Sequence, residues 1–263
     1  MTRRTGRRPP VTVVVPAALA VAFFAVPLVG LLQRAPWSEL AGDLTDPVVR
    51  DALRLSIVCS LGATVLAFAF GLPLAWLLAR TRVPGRRLVR ALVLLPLVLP
   101  PVVGGVALLL AFGRAGLVGQ YLDTWFDVRL PFTTWGATLA EAFVAMPFFV
   151  IVVEAGLRSL EPHYEEAAAA LGASPFTTFR RVVLPLIAPS LVAGAALTWA
   201  RALGEFGATI LFAGNLQGRT QTMPLAIFVE LQTDLGGAIA LSLVLLAVSI
   251  IVLVSLRDRW FPG

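Results

Sequence analysis

Apolar residues dominate six stretches of the chain, at about 11–32, 53–79, 88–112, 132–157, 186–213 and 235–256, separated by shorter polar segments. Runs of roughly 17–25 apolar residues match the hydrocarbon thickness of a bilayer, and longer ones fit by tilting. A helix in lipid satisfies its own backbone hydrogen bonds. The pattern predicts an all-α polytopic membrane protein with six transmembrane helices in a single transmembrane domain over 1–263. Two stretches are unusual. The third carries Pro96, Pro100, Pro101, Gly104 and Gly105, and interior prolines remove helix hydrogen bonds, so it is either a static kink or a hinge lining a pathway. The fifth contains Arg201 and Glu205.

Composition agrees with that picture. The chain is 58% hydrophobic and 14% charged, where soluble domains run near about 45–50% and 25%. Every basic residue is an arginine, and the net charge of +6 is not gathered on one soluble segment, which argues against a nucleic-acid partner. Cys59 and His163 each stand alone, so no disulfide within the chain and no zinc or haem ligand set is expected. Arg3, Arg4, Arg7 and Arg8 precede the first apolar run as they would in a secretory signal. That run is longer than the roughly 7–15 apolar residues of a signal, so it reads as a retained first span, bent by Pro16 and Pro27.

Loop charge sets the orientation. The segments before the first span, between the second and third, between the fourth and fifth, and after the sixth carry 14 arginines, against 6 in the three alternate loops, with Arg90 and Arg54 at the span ends assigned to their adjoining loops. The positive-inside rule then places both termini, and the segment 158–185, in the cytoplasm. In that segment Pro162 suits the first turn of a helix, and Tyr164, Ala167, Ala168 and Leu171 fall on one face. Glu161, Glu165 and Glu166 crowd its N-terminal turns, where the helix dipole favours negative charge. Gly172 suits a left-handed C-terminal cap, and Ser174-Pro175 an N-cap followed by a first helical position. Two short helices meeting at a glycine bend are expected.

Glu166-Ala167-Ala168, then Gly172, then Val182 and Leu184-Pro185 resemble the EAA loop of ABC importer permeases. The resemblance implies that a cytoplasmic ATPase dimer docks there, with Glu166, Ala167, Ala168, Gly172, Leu184 and Pro185 as coupling residues. Arg201-Ala202-Leu203-Gly204-Glu205-Phe206-Gly207-Ala208-Thr209, with Ala213-Gly214-Asn215 and Gly218-Arg219-Thr220-Gln221-Thr222-Met223-Pro224, is similar to the permease of molybdate/tungstate ABC importers. Sulfate/thiosulfate permeases are the close alternative. The family implies a homodimer in a bacterial-type inner membrane, an extracytoplasmic oxyanion-binding protein, and no cofactor in this chain, ATP and Mg being bound by the partner ATPase.

Arg201, Gly204, Glu205, Gly207, Thr209, Asn215, Thr220 and Thr222 are the candidate translocation path or gate, all but the charged Arg201 and Glu205 offering small or neutral polar groups to an oxyanion. Arg201 and Glu205 are four apart and therefore share a helix face, where they can partly neutralise one another. They either bound the path or form a structural ion pair, with Glu141 as another possible partner. A phosphate-binding loop needs a lysine, and the chain has none, so hydrolysis must come from another chain. An ion-gradient-driven transporter would share the spans without needing the 158–185 loop. An intramembrane enzyme would have to rely on Glu141, Glu205 or His163, without a nucleophile–base pair or metal set beside them.

Overall fold

The computed structural model describes residues 10–38, 42, 45–81 and 84–260, and the side chains of these apart from 253 and 255–260. Arg3, Arg4, Arg7, Arg8, Arg82, Glu39 and Asp43 lie outside the described residues, as do the side chains of Arg257 and Arg259. Among the described residues every regular element is a helix.

Helix α1 (Val11–Gln33) is apolar on all sides and buries no residue, as expected of a helix facing lipid. Helix α2 (Pro47–Leu66) starts where the Asp46 carboxylate accepts a hydrogen bond from the Val48 N–H at 2.7 Å, with Pro47 in the first turn. It runs through a π turn at Ala67–Gly71 into α3 (Leu72–Arg80), making one crossing of 34 residues. The third apolar stretch is two helices, α4 (Arg86–Val98) and α5 (Pro101–Phe112). Leu99 and Pro100 between them have ψ of 135° and 133°. The adjacent prolines impose this extended break, since neither supplies an N–H and Pro101 restrains the residue before it.

A short helix α6 (Gly119–Phe126) leads to α7 (Thr134–Ser159), capped by the Thr133 hydroxyl, which accepts from the Gly136 N–H. Helix α7 is the centre of the bundle and packs on α2, α3 and α11 (Ala188–Leu203). The chain reaches α11 through α8 (His163–Ala170), α9 (Pro175–Thr178), a π turn at Phe179–Val183 and the single turn α10 (Leu184–Leu186). The segments Pro175–Leu186 and Ala188–Leu203 meet at 70°. After α11 come α12 (Gly207–Phe212), α13 (Met223–Thr233) and α14 (Leu235–Trp260).

Four of these helical runs are long and apolar enough to cross a membrane, or five if the bent pair is one span. The expected third and fifth spans are the ones that break: at Leu99–Pro100, and at Gly204, where α11 stops ten residues short of the expected 213.

Lipid offers little hydrophobic drive for helix association, so cohesion depends on close packing of small residues. Ala63, Ala142, Ala145 and Ala202 form one such contact between α2, α7 and α11. Another joins α5 to α12. A Cβ on Gly105 would stand 2.9 Å from Leu211 Cβ and 3.0 Å from the Ala208 carbonyl, and one on Gly207 would stand 3.0 Å from Pro101 Cβ. The glycines of the broken third span therefore admit the backbone of α12. Gly105→Val should cost about 1–3 kcal/mol by overpacking, whereas Gly30→Val on α1, where nothing lies within 4 Å, should cost far less. Thermal unfolding midpoints of the two purified variants check this; equal shifts would refute the close-packing account.

Candidate functional site

The loop from 158 to 185 is two short helices about a glycine turn, but its halves are held differently. Helix α8 carries Glu165 and Glu166 in its first turn and buries only Ala168. Gly172 has φ +81° with open space around it, so the turn demands a left-handed residue rather than a small one. Ser174 then caps α9, its hydroxyl accepting from the Thr177 N–H at 3.2 Å. The second half enters the bundle. Val183 and Ile187 are buried with Leu78, Phe149, Val153 and Leu157, and Phe179 packs edge-on against Trp76 at 4.9 Å.

Of the expected coupling residues, Glu166, Ala167, Gly172 and Pro185 are exposed, Leu184 is half-buried and Ala168 is buried. Tyr164, Ala167, Ala168 and Leu171 do not form one buried face: Leu171 is 89% exposed. Phe176, beyond the glycine turn, is 71% exposed. Sequence reasoning passed over Phe176, although a large aromatic in a polar loop was the available signal.

Charge ties the loop end of the bundle together. Glu154 on α7 pairs with Arg90 on α4 and with Arg158 at 2.8 Å, and Arg86 stands 4.0 Å away. Arg80, at the end of α3, reaches Glu165 at 2.8 Å and donates to the Leu160 carbonyl at 3.1 Å. Elsewhere, on the short helix α6, Asp123 bridges Arg129 and Arg114. The hydrogen bond from Arg129, together with Arg114, holds the Asp123 carboxyl below its usual range.

In the fifth apolar stretch, Arg201 and Glu205 meet at 2.6 Å. They do not lie on one continuous helix, because α11 ends at Leu203 and Gly204 has left the helical track. Glu205, only 1% exposed, uses its second oxygen to accept from the Ala208 N–H at 2.8 Å. One carboxylate thus neutralises an arginine and satisfies a free N–H at the start of α12, which contains Gly207 and Thr209. Glu141 is also buried, and its Oε2 makes no hydrogen bond among the described residues.

Asn215, Thr220 and Thr222 belong to a different assembly, the loop between α12 and α13, whose residues 216–219 are exposed while Thr220 and Thr222 are buried. The Thr220 hydroxyl accepts from the Leu216 N–H at 2.9 Å. Thr134 donates to the Arg219 carbonyl at 2.9 Å, and Ser56 accepts from the Met223 N–H at 2.7 Å, which ties this loop to α7 and α2. No hydrogen bond or ion pair among the described residues joins the loop to Arg201 or Glu205. The hydroxyls of Thr209 and Thr222 are buried and have no hydrogen-bond partner among the described residues. The 470 Å³ cavity beside α11 is walled by groups such as Ile57, Leu61, Phe68, Ala195, Trp199 and Val248, a lining unsuited to an oxyanion.

A bundle of apolar helices with internal charge pairs and a projecting apolar-tipped loop is the form of a membrane transport subunit. The chain belongs to the family described as binding-protein-dependent transport system inner membrane component, whose model matches residues 71–261. It is a multi-pass inner-membrane permease of the ABC importer type and not an enzyme. Among its relatives, the molybdenum transport system permease protein ModB of Mycobacterium bovis is 45% identical, over 94% of this chain and 93% of that protein. The sulfate transport system permease protein CysT of Salmonella typhimurium is 42% identical, over 88% of this chain and 83% of that protein. A bacterial alginate ABC transporter, solved with an alginate pentasaccharide-bound periplasmic protein, shares the fold at TM-score 0.73 and 18% identity, covering 95% of this chain and 94% of that one.

Removing one member of a buried ion pair leaves the other uncompensated. Arg201→Met should lose about 3 kcal/mol of stability, and adding Glu205→Gln should recover part of that loss. Thermal unfolding of the single and double variants checks this. Equal losses in both would show that the charge pairing contributes nothing.

Proposed function

We propose that the chain is the transmembrane permease subunit of an ATP-driven importer for molybdate, or the similar tungstate oxyanion. The observation that carries the reading is the tip of the 158–185 loop, where Leu171 and Phe176 project on either side of left-handed Gly172. Apolar side chains so exposed at a turn outside the bundle call for cover by another protein. The EAA-like residues Glu166, Ala167, Ala168 and Gly172 sit in the same turn-and-helix unit, and membership of a binding-protein-dependent transport family supports a cytoplasmic ATPase dimer as the partner.

Two copies of the permease form the path, and the ATPase dimer binds ATP and Mg and closes on them. Arginine distribution supports a cytoplasmic loop and cytoplasmic termini. On the opposite side, an oxyanion-binding protein delivers cargo to the mouth near Asn215, Thr220 and Thr222. Thr209 and Thr222 have hydroxyls free to donate to an anion, and pairing with Arg201 offsets the repulsion that Glu205 would exert. Leu184 and Pro185 relay loop motion into α11 through the 70° bend, and Gly204 sits where the gate would pivot. Molybdate is favoured over sulfate by the wider match to the molybdenum permeases.

Uptake into proteoliposomes containing permease, ATPase and binding protein tests the reading, with molybdate, tungstate and sulfate in competition. Molybdate and tungstate should compete strongly and sulfate weakly; the reverse order would make it a sulfate permease. Gly172→Asp places a side chain on a left-handed backbone at the docking turn. It should leave the protein in the membrane but abolish ATPase co-purification and uptake. Wild-type uptake in that variant, or uptake driven by an ion gradient without ATP, would overturn the docking model.

A further inference from the structure

The two halves of the docking loop are anchored unequally. Val183, Ile187 and Phe179 fix the second half in the apolar core. Helix α8 packs chiefly on its own loop, against α9 and the π turn, and buries only Ala168. A helix without an apolar footing passes force to the bundle poorly, because packed side chains are what make neighbouring elements move as one body. What it has instead is Arg80. The guanidinium, half-buried at the end of α3, contacts Glu165 in the first turn of α8 at 2.8 Å. The same nitrogen donates to the carbonyl of Leu160, two residues before Pro162 opens the helix. One side chain thus grips both the first turn of α8 and the strand of chain leading into it.

The link continues. Arg158 contacts the Leu78 carbonyl at 3.5 Å and Glu154 at 2.8 Å, and Glu154 in turn holds Arg90 of α4. The second, third and fourth apolar stretches therefore meet in one charged lattice, and α8 joins it through Arg80.

We propose that Arg80 is the positioning residue that transmits movement of the docking helix to the second membrane-crossing run, Pro47–Arg80, with Glu165 as its receiving group. This rests on the docking function proposed above. Arg80 and Glu165 hold α8 against the bundle, so that a displacement of α8 by its ATPase moves α3 and, through the charged lattice, α7 and α4. A lysine could keep the charge, but its ammonium ends one bond short of the guanidinium nitrogen that meets both acceptors.

The test uses the complete transporter, permease with ATPase and binding protein, and measures ATP hydrolysis and oxyanion uptake in the same proteoliposomes. Arg80→Gln should retain the ATPase and hydrolyse ATP, while uptake per ATP falls about tenfold, within the usual range of coupling between sites. Arg80→Lys should lie between it and wild type. Glu165→Arg should fail like Arg80→Glu, and the two combined should recover much of the coupling. Unchanged uptake per ATP in Arg80→Gln would overturn the proposal. If Arg80→Gln does not reach the membrane, the exchanged pair decides: recovery supports transmission through this contact, and no recovery above either single variant refutes it. Gly172→Asp run in parallel separates the two claims. If it loses the ATPase while the Arg80 variants couple normally, docking stands and this link alone fails.

Discussion

The fold turns on how a backbone break is tolerated among apolar helices. At Gly204 the fifth apolar stretch leaves its helix, and the N–H groups that begin α12 need acceptors that lipid cannot supply. Glu205 supplies one, by accepting from Ala208, and its own charge is balanced by Arg201. With the break stabilised, α12 is free to take a direction of its own and to approach α5 where Gly105 and Gly207 lack side chains. The loop beyond α12 then returns over α7 and α2, fixed by Thr134, Ser56 and the Thr220 hydroxyl. Removing the carboxylate would weaken each later step, because each depends on where α12 points.

The same logic clarifies the third stretch. Pro100 and Pro101 cut it into two helices, and the residues that follow, Gly104 and Gly105, form a contact surface. At the level of sequence, a proline–glycine cluster in a membrane span is compatible with a hinge or with a kink. The structure shows an extended break whose far side is gripped by Phe143, Ala208 and Leu211. A hinge needs room to bend, and at Gly105 even one added Cβ would stand 2.9–3.1 Å from Leu211 and Ala208.

Much of the fold was legible because lipid imposes a simple rule: long apolar runs become helices. The loop helices were legible too, since Pro162, Gly172 and Ser174-Pro175 act through local backbone chemistry. What could not be read was tertiary. The sequence placed Arg201 and Glu205 on one helical face, yet Glu205 sits past the helix end, and only the neighbouring chain shows that Ala208 needs it. Arg80 looked like one more arginine among those that orient the protein, and its contact with Glu165 spans 85 residues of chain. Asn215, Thr220 and Thr222 were grouped with the fifth span by their order in the chain, whereas Thr220 bonds within its own loop and the neighbouring Arg219 and Met223 tie that loop to α7 and α2.

Drive and cargo are recorded in different kinds of chemistry, and this explains their unequal legibility. A docking helix must fit a folded partner, so it needs a fixed turn, small residues and a few exposed apolar side chains, all of which leave marks at set spacings. A doubly charged tetrahedral anion passing through needs only weak, replaceable contacts, because tight ones would hold it in place. In the proposed path, hydroxyls such as those of Thr209 and Thr222 would meet that need for molybdate and sulfate alike. Selection between such similar anions is better made where the anion can be enclosed and its size measured, which is the work of a binding protein rather than a path. It follows that permeases for the two anions need not diverge far in sequence, which fits the similar identities of this chain to a molybdenum permease, 45%, and to a sulfate permease, 42%, and that competition between cargoes reports on the assembled transporter more than on any one residue of this chain.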